Sequence, residues 1–356
     1  MYFSKFKRTG KIKSLIAILL VSVSFANPSF KNRLLVPFYV KFGASIGYND
    51  NVFKFSESEK KNSNSYNYMG SSLTYDSAIL KPDIRISYSP KLFDGKISRF
   101  IYFSSFSDYS NINDKKGLYS SIRFEYKIGS YNWLKIGYKN SRNNFLRYYV
   151  DEDMPGQEYL SCNYDSESFF TSYSINFHEY GWSRILFSKG AQLFNPNFTE
   201  FDLNISQISF KHHFNIHNFN ISVLANHGIA ENISFKSGLN STDFDRSYNS
   251  SSIELKINRN LNKYFKKIYM GYGFNVRSYL SEEESDPLHA GRSHFEHFFL
   301  VSFLKELRND IGLELKYKVR YRQTNSEFEW VQSLKTFYDN QIVVKITYDM
   351  DVELFY

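Results

Sequence analysis

Apolar and polar residues alternate along most of this chain, with the period of two that a strand imposes on its two faces. The clearest stretch is residues 341–356. Ile342, Val344, Ile346, Tyr348, Met350, Val352, Leu354 and Tyr356 are apolar or aromatic. Gln341, Lys345, Thr347, Asp349, Asp351 and Glu353 stand between them, with Val343 and Phe355 as exceptions. Such a segment has one greasy face and one wet face. Left open, a flat strand of this kind invites edge-to-edge pairing, whereas a closed barrel has no edge.

The same alternation, interrupted by turn-forming clusters, predicts fourteen strands. They are residues 38–52, 75–88, 98–109, 118–128, 133–148, 166–177, 184–194, 201–214, 219–229, 248–257, 267–279, 294–303, 311–322 and 341–356. The connections alternate between short turns and longer segments rich in Asn, Ser, Asp and Glu, as solvated loops should be. The expected fold is therefore all-β: a transmembrane, antiparallel, up-and-down barrel of about 14 strands, with 12 or 16 as alternatives. Two strands conflict with a regular ladder. Pro82 interrupts the second, and proline is tolerated only at a strand start, an edge or a bulge. In the eighth, the alternation slips between Ile205 and Ile208, which predicts a bulge.

The N-terminal segment has a different character. Lys5, Lys7, Arg8, Lys11 and Lys13 precede a mostly apolar run from Leu15 to Phe25, and Ser24-Phe25-Ala26 supplies small residues for cleavage. The run is too short for a transmembrane helix of roughly 20 residues and reads as a secretory signal peptide. The expected organisation is a signal peptide at 1–26, a short periplasmic lead-in at 27–37 and a barrel at 38–356. Together with the aromatic-ended last strand, this pattern resembles Gram-negative outer-membrane β-barrel proteins. That resemblance implies export through the inner membrane, residence in the outer membrane among lipid and lipopolysaccharide, and recognition of Tyr348, Val352, Leu354 and Tyr356 by the barrel-assembly machinery.

Charge and composition support a membrane wall over other classes. The signal segment carries five basic and no acidic residues, so the +8 of the full chain falls by five to +3 without it. The basicity is mostly a targeting signal, and nucleic-acid binding is not expected. Phe and Tyr number 35 and 29, and aromatic residues ring both interfaces of transmembrane barrels. Cys162 is the single cysteine, which excludes an intrachain disulfide or a cysteine metal cluster.

Alternation assigns charges to the inside. A Lys or Arg facing lipid near the midplane costs roughly 2–4 kcal/mol. The inward set is therefore Lys41, Arg123, Lys127, Lys135, Lys139, Arg277, Glu314, Lys316, Lys318 and Arg320. These residues hold more positive than negative charge, and a water-filled lumen so lined favours anions. The alternative is that they brace the wall by pairing across it.

Other chemistry is sparse. His212 and His213 point to opposite faces of one strand, as do His294 and His297, so neither pair forms a metal site. Glu282, Glu283, Glu284, Asp286 and His289 share a loop that could hold a cation. No catalytic spacing stands out, and no cofactor is expected. The segment Gly43-Ala44-Ser45-Ile46-Gly47-Tyr48-Asn49-Asp50-Asn51-Val52-Phe53 is similar to the opening strand of barrels associated with exopolysaccharide export or exosortase loci, and of surface-lipoprotein assembly modifiers. The reading is a monomeric passive channel or export conduit for an anionic solute. The alternatives are a non-conducting surface barrel whose long loops bind polysaccharide or a protein partner, and an outer-membrane hydrolase.

Overall fold

The computed structural model describes residues 32–63, 67–130, 132–154, 156, 158–261 and 264–352. The strands are β1 (Phe38–Asn49), β2 (Ser77–Tyr88), β3 (Lys91–Leu92), β4 (Lys96–Tyr109), β5 (Lys116–Lys127), β6 (Trp133–Val150), β7 (Tyr159–Asn176) and β8 (Trp182–Phe194). They continue with β9 (Leu203–Ile216), β10 (Phe219–Asn232), β11 (Tyr248–Asn260), β12 (Lys267–Tyr279), β13 (Ser293–Arg308), β14 (Ile311–Asn325) and β15 (Phe337–Val352). Two short helices lie in long loops: α1 (Glu57–Lys61) before β2 and α2 (Glu329–Lys335) before β15. The two-residue β3 only fringes β4. The other fourteen strands form one closed antiparallel barrel, sealed where β1 pairs with β15 from Phe38↔Val352 to Asn49↔Gln341.

The period of two explains the wall. Phe42, Ile46, Ile122, Ile136, Phe169, Phe187, Ile208, Phe210, Ile253, Met270, Phe299, Leu315 and Ile346 lie exposed on its outer side. Their neighbours in sequence turn inward, where Ser45, Ser105, Glu125, Ser172, Ser209 and Ser302 are buried. A continuous apolar exterior over polar contents suits lipid outside and water inside. Gly43 keeps the inner face open for charge, because a Cβ there would fall on the Asp83 carboxylate, which pairs with Lys345.

The two irregularities resolve differently. The β2–β4 ladder runs from Leu80↔Asp108 directly to Asp83↔Ser105, so Lys81 and Pro82 fall in a gap on that side. The missing proline N–H therefore breaks no ladder bond there. The bulge expected in β9 is absent: that strand stays in register with both neighbours. Ile205 instead faces inward beside Gly190 and Ala230, so the alternation slips in residue type while the backbone stays regular. The real bulges are in β6, at Ser141/Asn144 and Phe145/Arg147, and in β13 at Glu306/Arg308. Asn143 takes φ 54° at the first. Its side chain donates to Lys116 O at 2.7 Å and its N–H to Asp165 Oδ1 at 2.8 Å.

The largest correction concerns residues 53–74, expected as a solvated loop. Residues 53–61 turn into the barrel mouth, and Met69 packs in the same cluster. Val52, Phe53, Phe55, Met69, Ile112, Phe145 and Tyr148 form a buried cluster at the long-loop rim. Phe53 stacks on Phe55 at 5.0 Å and meets Phe145 edge-on at 5.8 Å. Burying side chains of this size contributes roughly 1.5–3 kcal/mol each, enough to hold the loop inside. This is also why β1 ends at Asn49 rather than at residue 52.

Candidate functional site: a basic chamber under inserted loops

Asn51 begins the inward turn. Its Oδ1 accepts the Phe55 N–H at 2.8 Å, and its Nδ2 donates to Phe55 O at 2.9 Å and to Tyr338 O at 2.8 Å. The turn is tight enough to place Lys54 at φ 57°. Ser56 and Glu59 then form a capping box that starts α1, each satisfying the other's free N–H. Glu59 has a second role. Arg147 on β6 places Nη1 2.8 Å from Glu59 Oε1, and its Nη2 donates to Phe53 O at 3.1 Å and Lys54 O at 3.2 Å. Across the mouth, α2 packs against α1 and buries Val331 completely. The Thr336 hydroxyl closes its end by donating to Gln332 O at 2.7 Å, and it accepts the Thr324 N–H at 3.1 Å.

These loops roof a cavity of about 440 Å³ within the lumen. Its aromatic walls include Tyr149, Tyr164, Phe194, Tyr248, Tyr279 and Phe337. Its cations divide into two groups. Arg147 is paired with Glu59, while Arg320 and Arg322 share Glu296 at 2.7 and 2.9 Å. Lys54, Arg246, Arg277, Arg292 and Lys335 also line it. Among the described residues, none of these five has a carboxylate within 4.0 Å. Glu152 and Glu200 are the acidic residues of the lining.

The arginines are held by ring faces. Arg292 lies 4.0 Å from the Tyr279 centroid, Arg277 4.3 Å from Tyr248 and Arg246 4.8 Å from Phe201. Stacking of this kind satisfies the guanidinium face; the Nη1 of Arg246 also donates to Ser241 O at 2.7 Å and Phe244 O at 3.2 Å. Arg246 and Arg292 are buried, and the Nε of each has no hydrogen-bond partner.

Lys54 and Lys335 keep some accessible area yet are enclosed by protein. Burial, reinforced by neighbouring Arg320, Lys115 and Arg322, drops the Lys54 amine well below its ordinary range. Burial and the nearby Arg147 and Arg292 bring Lys335 down to about 7. Burial also pushes the Glu200 carboxyl up to about 7. Isolated charge in this space is costly, and a counter-charge would relieve it.

Nearer the short-turn rim, several charges pair with one another. Lys41 meets Asp349 at 3.1 Å. Glu125, 3% exposed, draws Arg123 to 2.8 Å, Lys135 to 3.2 Å and Arg99 to 3.4 Å. Glu314 accepts from Ser302 at 2.6 Å and pairs with Lys316 at 3.3 Å. Lys139 lies over the Phe170 ring at 5.0 Å. Lys127 stands opposite Trp133, and Lys318 opposite Leu300 and Gln341. Of the ten inward residues read from the pattern, Arg277 and Arg320 line the chamber.

In the last strand, Tyr348 pairs with Phe42 and Val352 with Phe38, while Leu354 and Tyr356 lie outside the described residues. His212 bonds Ser183 at 2.8 Å, whereas His213 stacks near Trp182. Likewise His294 meets Thr324 and His297 meets Tyr272. In the acidic loop, Glu282, Glu283 and Glu284 are exposed. Asp286 is buried against His289, 2.8 Å from its Nδ1.

A closed antiparallel wall, apolar outside and charged within, decides the class. The chain folds as a closed, fourteen-stranded antiparallel β-barrel. No family model matches this barrel's sequence, and no curated protein does. Its fold is similar to that of the outer membrane channel DcaP of Acinetobacter baumannii, at 8% identity and TM-score 0.46, covering 88% of this chain and 96% of that one. It is similar to the outer-membrane expressed OmpT of Vibrio cholerae, at 9% identity and TM-score 0.46, over 88% and 97%. It is also similar to OpdK of Pseudomonas aeruginosa, solved with vanillate, at 7% identity and TM-score 0.40, over 88% and 98%.

The chamber residues that pattern reading missed are Lys54, Arg147, Arg246, Arg292 and Lys335. Lys54, Arg246, Arg292 and Lys335 lie in connections, and Arg147 lies just past the β6 bulge. The signal that could have exposed them is the unusual apolar content of two supposed loops: Phe53, Phe55, Tyr68, Met69, Trp330, Val331 and Leu334.

Proposed function

We propose that this barrel is a gated channel of the Gram-negative outer membrane, closed at rest by its inserted loops and selective for anionic solutes. The observation that carries the reading is the chamber's three arginines, Arg246, Arg277 and Arg292, which among the described residues have no carboxylate within 4.0 Å, with the Lys54 and Lys335 amines able to take up a proton beside an anion. In a confined space salt screens poorly, so these charges would draw anions and repel cations. The charges nearer the other rim brace the wall through their ion pairs and add to the positive field, since Glu125 is shared by three cations. Delivery would use the cleaved signal peptide at 1–26. Assembly would use recognition of the last strand by the barrel-assembly machinery, giving a monomer surrounded by lipid and lipopolysaccharide.

The decisive experiment is conductance in planar bilayers under a salt gradient. The expected record is small or infrequent openings in the wild type, with a reversal potential on the anion side. A cation-selective pore would overturn the proposal. Complete absence of conductance, even after the plug is released, would favour a surface barrel whose loops bind polysaccharide or a protein.

A further inference from the structure

The chamber's cations come from two parts of the structure. Arg277 on β12 and Arg292 at the entry to β13 belong to the wall, whereas Lys54 and Lys335 hang from the inserted loops. More cations line the space than one carboxylate or halide offsets, and a ligand with several anionic groups matches them better. Apolar and aromatic side chains share the lining: Tyr164, Phe194, Leu334 and Phe337. That surface calls for an organic body rather than a bare inorganic ion. The cavity, about 440 Å³, falls within the roughly 300–1,000 Å³ typical of small-molecule sites.

We infer that the chamber is a saturable binding site for a compact organic anion carrying at least two separated carboxylate or phosphate groups, clamped between the wall arginines and the two loop lysines. This rests on the reading that anionic solute enters this lumen. The N–H edge of Arg292, fixed by the Tyr279 ring, supplies a planar fork that matches an oxyanion, and Arg277, bonded to Tyr279, adds positive charge beside it. The buried Arg292 Nε lacks any partner in the protein, and an oxyanion alongside would satisfy it. Lys54 and Lys335 close on the far end of the ligand. Occupancy therefore joins loops to wall and stabilises the closed form, as any ligand bound only to that form must. Arg246 sits toward Glu152 and Glu200 and marks the acidic end of the cavity, where a hydroxyl of the ligand fits better than a third anion.

Citrate is a suitable probe, with acetate at equal ionic strength as the single-charge control. Titration calorimetry on the detergent-folded barrel should show saturable citrate binding at least tenfold tighter than acetate. Arg292→Gln and Lys335→Gln should each weaken citrate at least tenfold, and Lys266→Gln, in the exposed rim pair with Glu306, should leave it unchanged. Heat-modifiable migration reports folding of each variant. If Arg292→Gln fails to fold, Arg292→Lys keeps the charge, loses the fork and should still weaken citrate. Equal non-saturable uptake of both ions, or citrate binding indifferent to both substitutions, overturns the site. Anion conductance without saturable citrate binding removes the site and leaves the channel reading standing. Saturable binding without conductance, even in Arg147→Ala, supports the site and removes the channel reading.

Discussion

Arg147 reaches from the barrel wall to Glu59 of the inserted loop, Nη1 to Oε1 at 2.8 Å, across 88 residues of sequence. Both side chains are largely buried, at 13% and 6% exposure. The same guanidinium also holds the backbone carbonyls of Phe53 and Lys54. One side chain thus ties the loop's helix and its tightest turn to the wall.

Removing that tie should open the mouth. Breaking a buried pair by deleting one partner costs roughly 3–5 kcal/mol, because the other charge is left uncompensated. Arg147→Ala should therefore release residues 50–76 while the strands remain paired. Single-channel recordings should show larger or more frequent openings, and limited proteolysis should cut the loop faster. Unaltered conductance and protection would mean that the aromatic cluster alone holds the plug.

The Glu125 carboxylate is shared by three cations on one stretch of wall. Glu125→Gln leaves Arg99, Arg123 and Lys135 facing one another. We expect a lower unfolding midpoint in urea and a reversal potential shifted further toward anions. Both changes should shrink as salt rises. Unchanged selectivity would show that this tier lies outside the conducting path.

Closure should depend on pH through Lys335. Its closed-state value of about 7 lies below its ordinary value of 10.5, so burial penalises the charged form. Below pH 7 the amine is protonated whether the loop is in or out, and the penalty is fully present. Between about 7 and 10.5 closing releases a proton, so the closed form gains stability as pH rises. Arg147, Arg292 and Arg322 oppose protonation, and Glu59 alone favours it. Lys54 and Lys115, both lowered by burial, act in the same direction. Glu200 acts in the opposite sense, but its window runs from 4.5 to about 7. Hydrogen exchange of the α2 amides, corrected for the intrinsic pH effect, should slow from pH 7 to pH 10. Lys335→Met should weaken that dependence; an undiminished trend would assign it to Lys54 or Lys115.

The lipid face should reject charge. Ile346 on β15 is 52% exposed and sits opposite Ala44 and Leu313. Ile346→Lys places an ammonium among apolar outer side chains, at a cost of roughly 2–4 kcal/mol near the midplane. The yield of heat-modifiable folded barrel should fall, whereas Lys345→Ile should spare the exterior and remove the Asp83 pair instead. Equal yields for Ile346→Lys and wild type would place this position at the membrane surface.

The strands and their faces were legible in the sequence because the two-residue period is local. Lys267–Tyr279 begins and ends where alternation predicted, and fourteen wall strands follow from the same signal. The slip at Ile205–Ile208 misled because residue type is only a proxy for backbone register, and an apolar side chain can point inward under a covered mouth. Which charges pair, and which remain alone, could not be read in this way. Lys41 finds Asp349 only when β1 meets β15, 308 residues later. Lys54 and Lys335 approach one chamber only because two loops fold into the same mouth. Alternation along one strand says which way a side chain points; closure of the barrel and burial of Phe53, Phe55 and Val331 decide what it meets there.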